Sequence, residues 1–318
     1  MDMATASPLA QNVPLGIVLK LCAVTLFMIM SSLVKAASDT VPPGEAVFFR
    51  AFFALPVILA WLALRGELRA GLKTRNPWGH LWRGLLGSTA MGLMFTGLAL
   101  LPLHEVTALR FTTPLLVVVF AAMILGERVR AFRLSAVALG FVGVLVVLSP
   151  KLGLLRGAAP VGSGEVLGVA VTLGAAAAAA LAHVVLRRLT RTEGTAAIVF
   201  WFSVTASVLA LATAPFGWAW PGPRVFMLLL FAGLTGGLGQ IFLTSAYRQA
   251  DAGVIAPFDY ASMLLALAIG YTVFGETPTL VMLAGAALVI LAGILIIWRE
   301  RRLGLKSGGP ARAATPPG

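Results

Sequence analysis

Apolar residues run through this chain in long blocks broken by short polar clusters. Neither the two-residue alternation of a half-buried strand nor the one-sided stripe of a surface helix is present. A bilayer core of ~30 Å takes ~20 apolar residues of helix. Blocks of that order fall at about 14–37, 44–64, 80–101, 104–125, 132–149, 163–187, 194–213, 223–247, 252–274 and 278–298. The pattern predicts an all-α integral membrane protein with ten transmembrane helices.

The blocks form two halves of five. Sliding the first half forward by 149 positions places Gly84-Leu85-x-Gly87 on Gly233-Leu234-x-Gly236, Leu115-Leu116 on Leu264-Leu265 and Gly126-Glu127 on Gly275-Glu276, without a gap. Five helices begin and end on opposite faces of a bilayer, so the second unit must insert upside down relative to the first. Inverted repeats of this kind enclose a site near the midplane that two orientations expose in turn. The expectation is two inverted five-helix repeats around a central cavity.

Composition agrees with the pattern: 59% of residues are apolar and 11% charged, with a mean hydropathy of +0.95. The net charge of +12 is unevenly placed. Of the 24 Lys and Arg residues, 17, including Arg65, Lys73, Arg83 and Arg188, fall on the N-terminal side of the predicted membrane. Only Lys35, Lys151, Arg156 and Arg224 fall on the other, while Lys20, Arg50 and Arg110 lie inside spans. The positive-inside rule then puts both termini in the cytoplasm. The divisions are a cytoplasmic tail over 1–13, a first repeat over 14–150, a periplasmic linker over 151–162, a second repeat over 163–298 and a disordered tail over 299–318. The charge serves topology, and no basic stripe interleaved with aromatics suggests nucleic acid. Trp61, Trp78, Trp82, Trp218, Trp220 and Trp298 sit at span ends, as an interfacial belt does. Cys22 is the only cysteine, which excludes an internal disulfide and is read as a packing residue.

The motifs of soluble chemistry are missing. There is no GxxxxGK[ST], GxSxG or HExxH, and His80, His104 and His183 are scattered. No enzyme activity, metal or cofactor is expected. The Gly and Ala residues of spans three, six and eight read as close-packing surfaces.

Charges inside spans are the sharpest signal, because each costs at least ~2.5–3.5 kcal/mol at a helix centre. Lys20 can snorkel, and Arg50 has Glu45 nearby. Arg110 and Asp259 are different: the 149-residue shift superposes them, each followed by an aromatic, Phe111 and Tyr260. Pro114 and Pro257 stand close by as expected helix breaks and gating points, since proline has no N–H to donate. Such breaks are tolerated where they face protein or a wet cavity. The expected substrate site is therefore Arg110, Asp259, Phe111 and Tyr260, with Thr113 and Ser262 on the same helix faces, Gln240 in span eight, and Met91, Met94 and Met263 gripping apolar parts. The alternative is a single ion pair between Arg110 and Asp259 that ties the repeats together. Glu127 and Glu276, closing spans four and nine, are expected to cap the next helix or meet interfacial arginines.

The run Leu103-His-Glu-Val-Thr-Ala-Leu-Arg-Phe-Thr-Thr-Pro114 to Gly126-Glu127-Arg128 resembles the drug/metabolite transporter superfamily, EamA type. So do Tyr247-Arg-Gln-Ala-Asp-Ala-Gly-Val-Ile-Ala-Pro-Phe-Asp-Tyr260 to Phe274-Gly-Glu276, and Arg50 in span two. The resemblance covers about residues 14–300. It implies an inner-membrane carrier in which spans 1, 3, 4, 6, 8 and 9 line the cavity. Its partners would be the lipid bilayer and a small, zwitterionic metabolite, with the chain a monomer or weak homodimer. Bacterial exporters of aromatic and neutral amino acids are the first expectation. Uptake of riboflavin or S-adenosylmethionine is the alternative, and a channel or membrane scaffold a remote one.

Overall fold

A computed structural model describes residues 12–125, 131–149, 162–189, 192–249 and 256–307. Among these residues the protein is helical and contains no strand. The helices are α1 (Val13–Ala37), α2 (Pro43–Leu64), the short α3 (Leu68–Gly71), α4 (Pro77–Leu100), α5 (Leu103–Arg110), α6 (Thr112–Leu125) and α7 (Ala131–Leu148). They continue with α8 (Ser163–Leu189), α9 (Thr195–Leu211), α10 (Pro223–Gln249), α11 (Ala261–Phe274) and α12 (Leu280–Ser307).

Local chemistry sets the starts. The Asn12 side chain accepts the N–H of Leu15 at 3.1 Å, and that of Asn76 accepts the N–H of Gly79 at 2.9 Å. In α1, α2 and α4 a proline occupies the first turn, where its missing N–H loses nothing. Gly275 closes α11 with φ of 66°, the left-handed conformation that only glycine adopts without strain.

Within the described residues, four helical segments are long and apolar enough to cross a bilayer: Val13–Ala37, Pro43–Leu64, Ser163–Leu186 and Pro223–Ala246. Shorter apolar segments are Ala196–Leu211, Phe258–Phe274 and Leu280–Ala292. The expectation of ten uniform spans is thus modified. α4 has the length, but Arg83 and its glycines dilute its apolar character. The block at 104–125 is a broken helix, and the described part of 252–274 opens with a 3-10 turn at Ala256–Tyr260. At the C-terminus, α12 continues to Ser307, so the tail expected to be disordered from Arg299 is helical over its first turns. Cys22 is exposed on α1 instead of packed.

Packing follows a regular scheme. α1 lies along α10 and α4 along α8; α2 contacts both α9 and α10; α4 also contacts α9; α7 lies along α12; and α5 meets α11. The α7–α12 seam is tight enough that a Cβ at Gly143 would stand 2.8 Å from the carbonyl oxygen of Gly285. Exchanging α1, α2, α4, α5–α6 and α7 for α8, α9, α10, α11 and α12 maps this set of neighbours onto itself. The main core gathers Phe95, Leu98, Leu103 and Leu109 with Met28, Leu229 and Met263, so the helix breaks sit over a packed floor.

Candidate functional site

The site begins at two interruptions of helix. α5 stops at Arg110 and α6 starts at Thr112; between them the N–H of Phe111 bonds the carbonyl of Ala108 at 3.2 Å. Pro114, in the first turn of α6, has no N–H with which to reach back to the carbonyl of Arg110, so the two pieces do not fuse into one helix. In the second half, residues Ala256–Tyr260 form a 3-10 turn that leads into α11. The two interruptions face each other: the Phe111 and Tyr260 rings meet edge to face with centroids 5.1 Å apart.

Beside this contact lies a cavity of about 380 Å³. Of the residues expected from the sequence, Arg110, Phe111, Thr113, Pro114, Met91, Met94, Gln240, Asp259 and Ser262 line it. Tyr260 stands behind Phe111, and Met263, 4% exposed, is part of the core beneath. Pro257 lies within the 3-10 turn. The Ser262 hydroxyl donates to the carbonyl of Asp259 at 2.6 Å, which stitches the turn to α11.

The charges are paired differently from the ion-pair alternative. Lys20 Nζ of α1 lies 2.7 Å from Asp259 Oδ1, with the lysine side chain 2% and the aspartate 51% exposed. No ion pair joins Arg110 to Asp259 among the described residues. The reason is geometric: α1 packs against both the 3-10 turn and α11, which brings Lys20 to the carboxylate first. Arg110 itself is exposed, with its head in the cavity.

The sequence profile of the EamA-like transporter family matches residues 14–149 and 166–298. The chain belongs to that family. A riboflavin transporter of Rhizobium johnstonii is 32% identical over 265 residues, covering 82% of this chain and 83% of the relative. A pseudopaline exporter of Pseudomonas aeruginosa is 30% identical, covering 88% and 95%. An S-adenosylmethionine uptake transporter of Rickettsia felis is 28% identical, covering 81% and 84%. A solved crystal structure at 21% identity superposes with a TM-score of 0.64 over 92% of this chain and 99% of that one, which establishes the fold. This EamA-like protein is therefore a multi-pass membrane transporter of small molecules. The relatives are named for riboflavin, pseudopaline and S-adenosylmethionine rather than for amino acids. The likeness consequently holds at the level of the family, and the expected special likeness to amino-acid exporters does not follow from it.

Three further cations of this family member line the cavity, and sequence reasoning had placed them elsewhere. Lys20 was weighed as a snorkelling residue. Arg50 was matched with Glu45, yet Glu45 Oε2 accepts the N–H of Ala219 at 3.2 Å, and Arg50 Nε and Nη1 are buried with no hydrogen-bond partner. Arg83 was counted among the cytoplasmic charges, but it lies well inside α4 and lines the same cavity. One signal could have found it: Arg83 stands one helical turn before Gly87, which closes the repeated Gly-Leu-x-Gly.

The repeated terminal Gly-Glu has a structural meaning in the second half. Glu276 Oε2 accepts the N–H of Leu103, capping α5 at 2.8 Å, and its Oε1 lies 3.2 Å from Lys35 Nζ. Lys35 in turn donates to the carbonyls of Leu98 and Leu101, at 3.1 and 2.8 Å, where α4 ends. Glu276 thus caps a helix of the other half rather than its own successor. Its repeat mate Glu127 lies outside the described residues.

Proposed function

We propose that this chain is an alternating-access carrier of the bacterial inner membrane, with ten spans arranged as two inverted repeats and both termini cytoplasmic. Its cargo bears a carboxylate that Arg110 holds and an apolar part that rests on Met91, Met94 and Phe111. Export of aromatic and neutral amino acids fits that description, as a monomer or weak homodimer. The observation that carries the reading is the position of Arg110: a cation that forms no ion pair among the described residues, with its head in the cavity, at a helix break. An anionic cargo would offset the cost of holding a cation within a membrane span. The exchange of neighbours between the halves supports the repeat, because a rocking mechanism needs equivalent packing in both orientations.

In a zwitterionic cargo the ammonium would fall to Asp259. Lys20 already meets it, so an ammonium must displace Lys20 or share the carboxylate with it. The carboxylate-binding half of the assignment is accordingly the stronger.

Counterflow in proteoliposomes tests the proposal. Vesicles loaded with unlabelled phenylalanine or leucine should accumulate the labelled amino acid transiently, with saturation. Linear, non-saturating entry would indicate a channel, and no entry of any carboxylate-bearing solute would overturn the proposal.

A further inference from the structure

We infer that Arg50 and Arg83 form a second anion-binding subsite in this cavity, so that among cargoes with a carboxylate for Arg110 one carrying a second anionic group binds more tightly. The inference rests on the cavity being the transport site, and it adds to that reading the number of negative groups the cargo carries.

Arg50 is 3% exposed, and its Nε and Nη1 are buried without partners; Arg83 Nε is in the same condition. Both guanidiniums stand over the ring of Phe202, at 5.9 Å for Arg50 and 4.5 Å for Arg83. No carboxylate among the described residues lies within ion-pair distance of either. Two guanidiniums taken out of water with donors unmade are expensive, and contact with one aromatic ring offsets only part of the cost. The fork of N–H donors on a guanidinium matches a carboxylate or a phosphate, which would satisfy both residues together.

Charge points the same way. Lys20, Arg50, Arg83 and Arg110 line the cavity against one carboxylate, Asp259. Lys20 is paired with that carboxylate, and Arg110, Arg50 and Arg83 make no ion pair among the described residues. A neutral zwitterion brings these cations one anionic group. A dianion brings two.

The glycines of the repeated motif hold the pair in place. A Cβ at Gly87 would collide with Arg83 Nη1 and stand 2.6 Å from the Phe202 ring. A Cβ at Gly236 would stand 3.2 Å from Arg50 Nε and 2.8 Å from Met30 Sδ. Equivalent glycines of the two halves thus each make room for one arginine of the subsite.

Calorimetric titration of the full chain in lipid nanodiscs with glutarate and with butyrate tests the subsite, the two probes having a similar apolar length. Glutarate should bind at least tenfold more tightly than butyrate. Arg83→Gln and Arg50→Gln should each abolish that preference by lowering glutarate affinity by a larger factor than butyrate affinity. Gly87→Ala, which displaces the Arg83 head and leaves its charge, should reduce the preference too and stands in if a glutamine variant does not fold. Equal affinity for the two probes, or a loss that affects both equally in Arg83→Gln, overturns the inference. Counterflow separates the two readings. Saturable amino-acid exchange without a glutarate preference sinks the subsite alone; an Arg83-dependent glutarate preference without any exchange sinks the carrier.

Discussion

Lys20 and Asp259 form a salt bridge of 2.7 Å that joins the first helix of one half to the broken helix of the other. The pair is lopsided, because the lysine is buried and the aspartate is half in the cavity. Removing the aspartate takes a carboxylate 2.7 Å away from a buried cation, whereas removing the lysine leaves a carboxylate that still reaches water. Asp259→Asn should therefore cost more stability than Lys20→Met, by roughly 1–3 kcal/mol for the lost charged contact. Thermal unfolding of both variants in one detergent measures the difference. Equal losses, or a larger loss for Lys20→Met, would contradict this account of the pair.

Arg110→Ala removes the proposed contact with the cargo carboxylate. A hydrogen bond to a charged group is worth about 1.5–3 kcal/mol, so counterflow should fall by about one to two orders of magnitude. The variant should still fold, since Arg110 makes no ion pair among the described residues. Normal counterflow in this variant would move the carboxylate site elsewhere.

Pro114→Ala restores an N–H opposite the carbonyl of Arg110 and lets α5 and α6 merge. If the break at Phe111 is a working joint, turnover should drop several-fold while the half-saturation concentration stays nearly constant. A shift in half-saturation with unchanged turnover would assign the proline to binding instead.

Acid should loosen the loop before α4. Glu193 Oε1 accepts the N–H groups of Arg75 and Asn76 at 2.6 and 2.7 Å and the Thr74 hydroxyl at 3.1 Å. Burial pulls its pKa upward, but the backbone N–H donors win and hold the carboxyl below the usual carboxylate range. A group with a lowered folded pKa stabilises fully above its unfolded value and loses that contribution as pH falls through the folded one. Hydrogen exchange over residues 72–80 should accelerate below about pH 4.3, the ordinary glutamate value. Glu193→Gln should exchange quickly at neutral pH and show little further acceleration in acid.

Sidedness is read with single cysteines. Lys73→Cys and Asp39→Cys, in a chain whose Cys22 has been replaced by Ala, should label from opposite faces of the membrane. Labelling of both by an impermeant reagent added outside intact cells would remove the inverted arrangement.

Much of this protein was legible in its sequence, and the boundary between legible and hidden is physical. Helical, membrane-embedded character follows from block length and composition, which are local. The interruption near Arg110 was foreshadowed by Pro114, because a missing N–H is written in the residue itself. The partner of Asp259 was not foreshadowed. Lys20 is separated from it by nearly the whole chain, and only the packing of α1 against the second half brings them together. Arg83 was hidden for another reason: near the start of a span, a residue counted as interfacial and one pointing inward look alike along the chain. Glu276 was expected to cap the helix that follows it; that it caps α5 instead depends on the α5–α11 contact, which no local pattern encodes.

The contact between Gly87 and Arg83 carries a consequence for reading other chains. Where two residues one turn apart share a single volume, their substitutions are coupled. A relative that replaces the arginine by a short neutral residue frees the glycine to become alanine or serine, and one that keeps the arginine holds its glycine. The same coupling should link Arg50 to Gly236, across two helices rather than within one. These glycines therefore act as a written record of cavity charge: their presence or loss would sort relatives by the ionic character of what they carry.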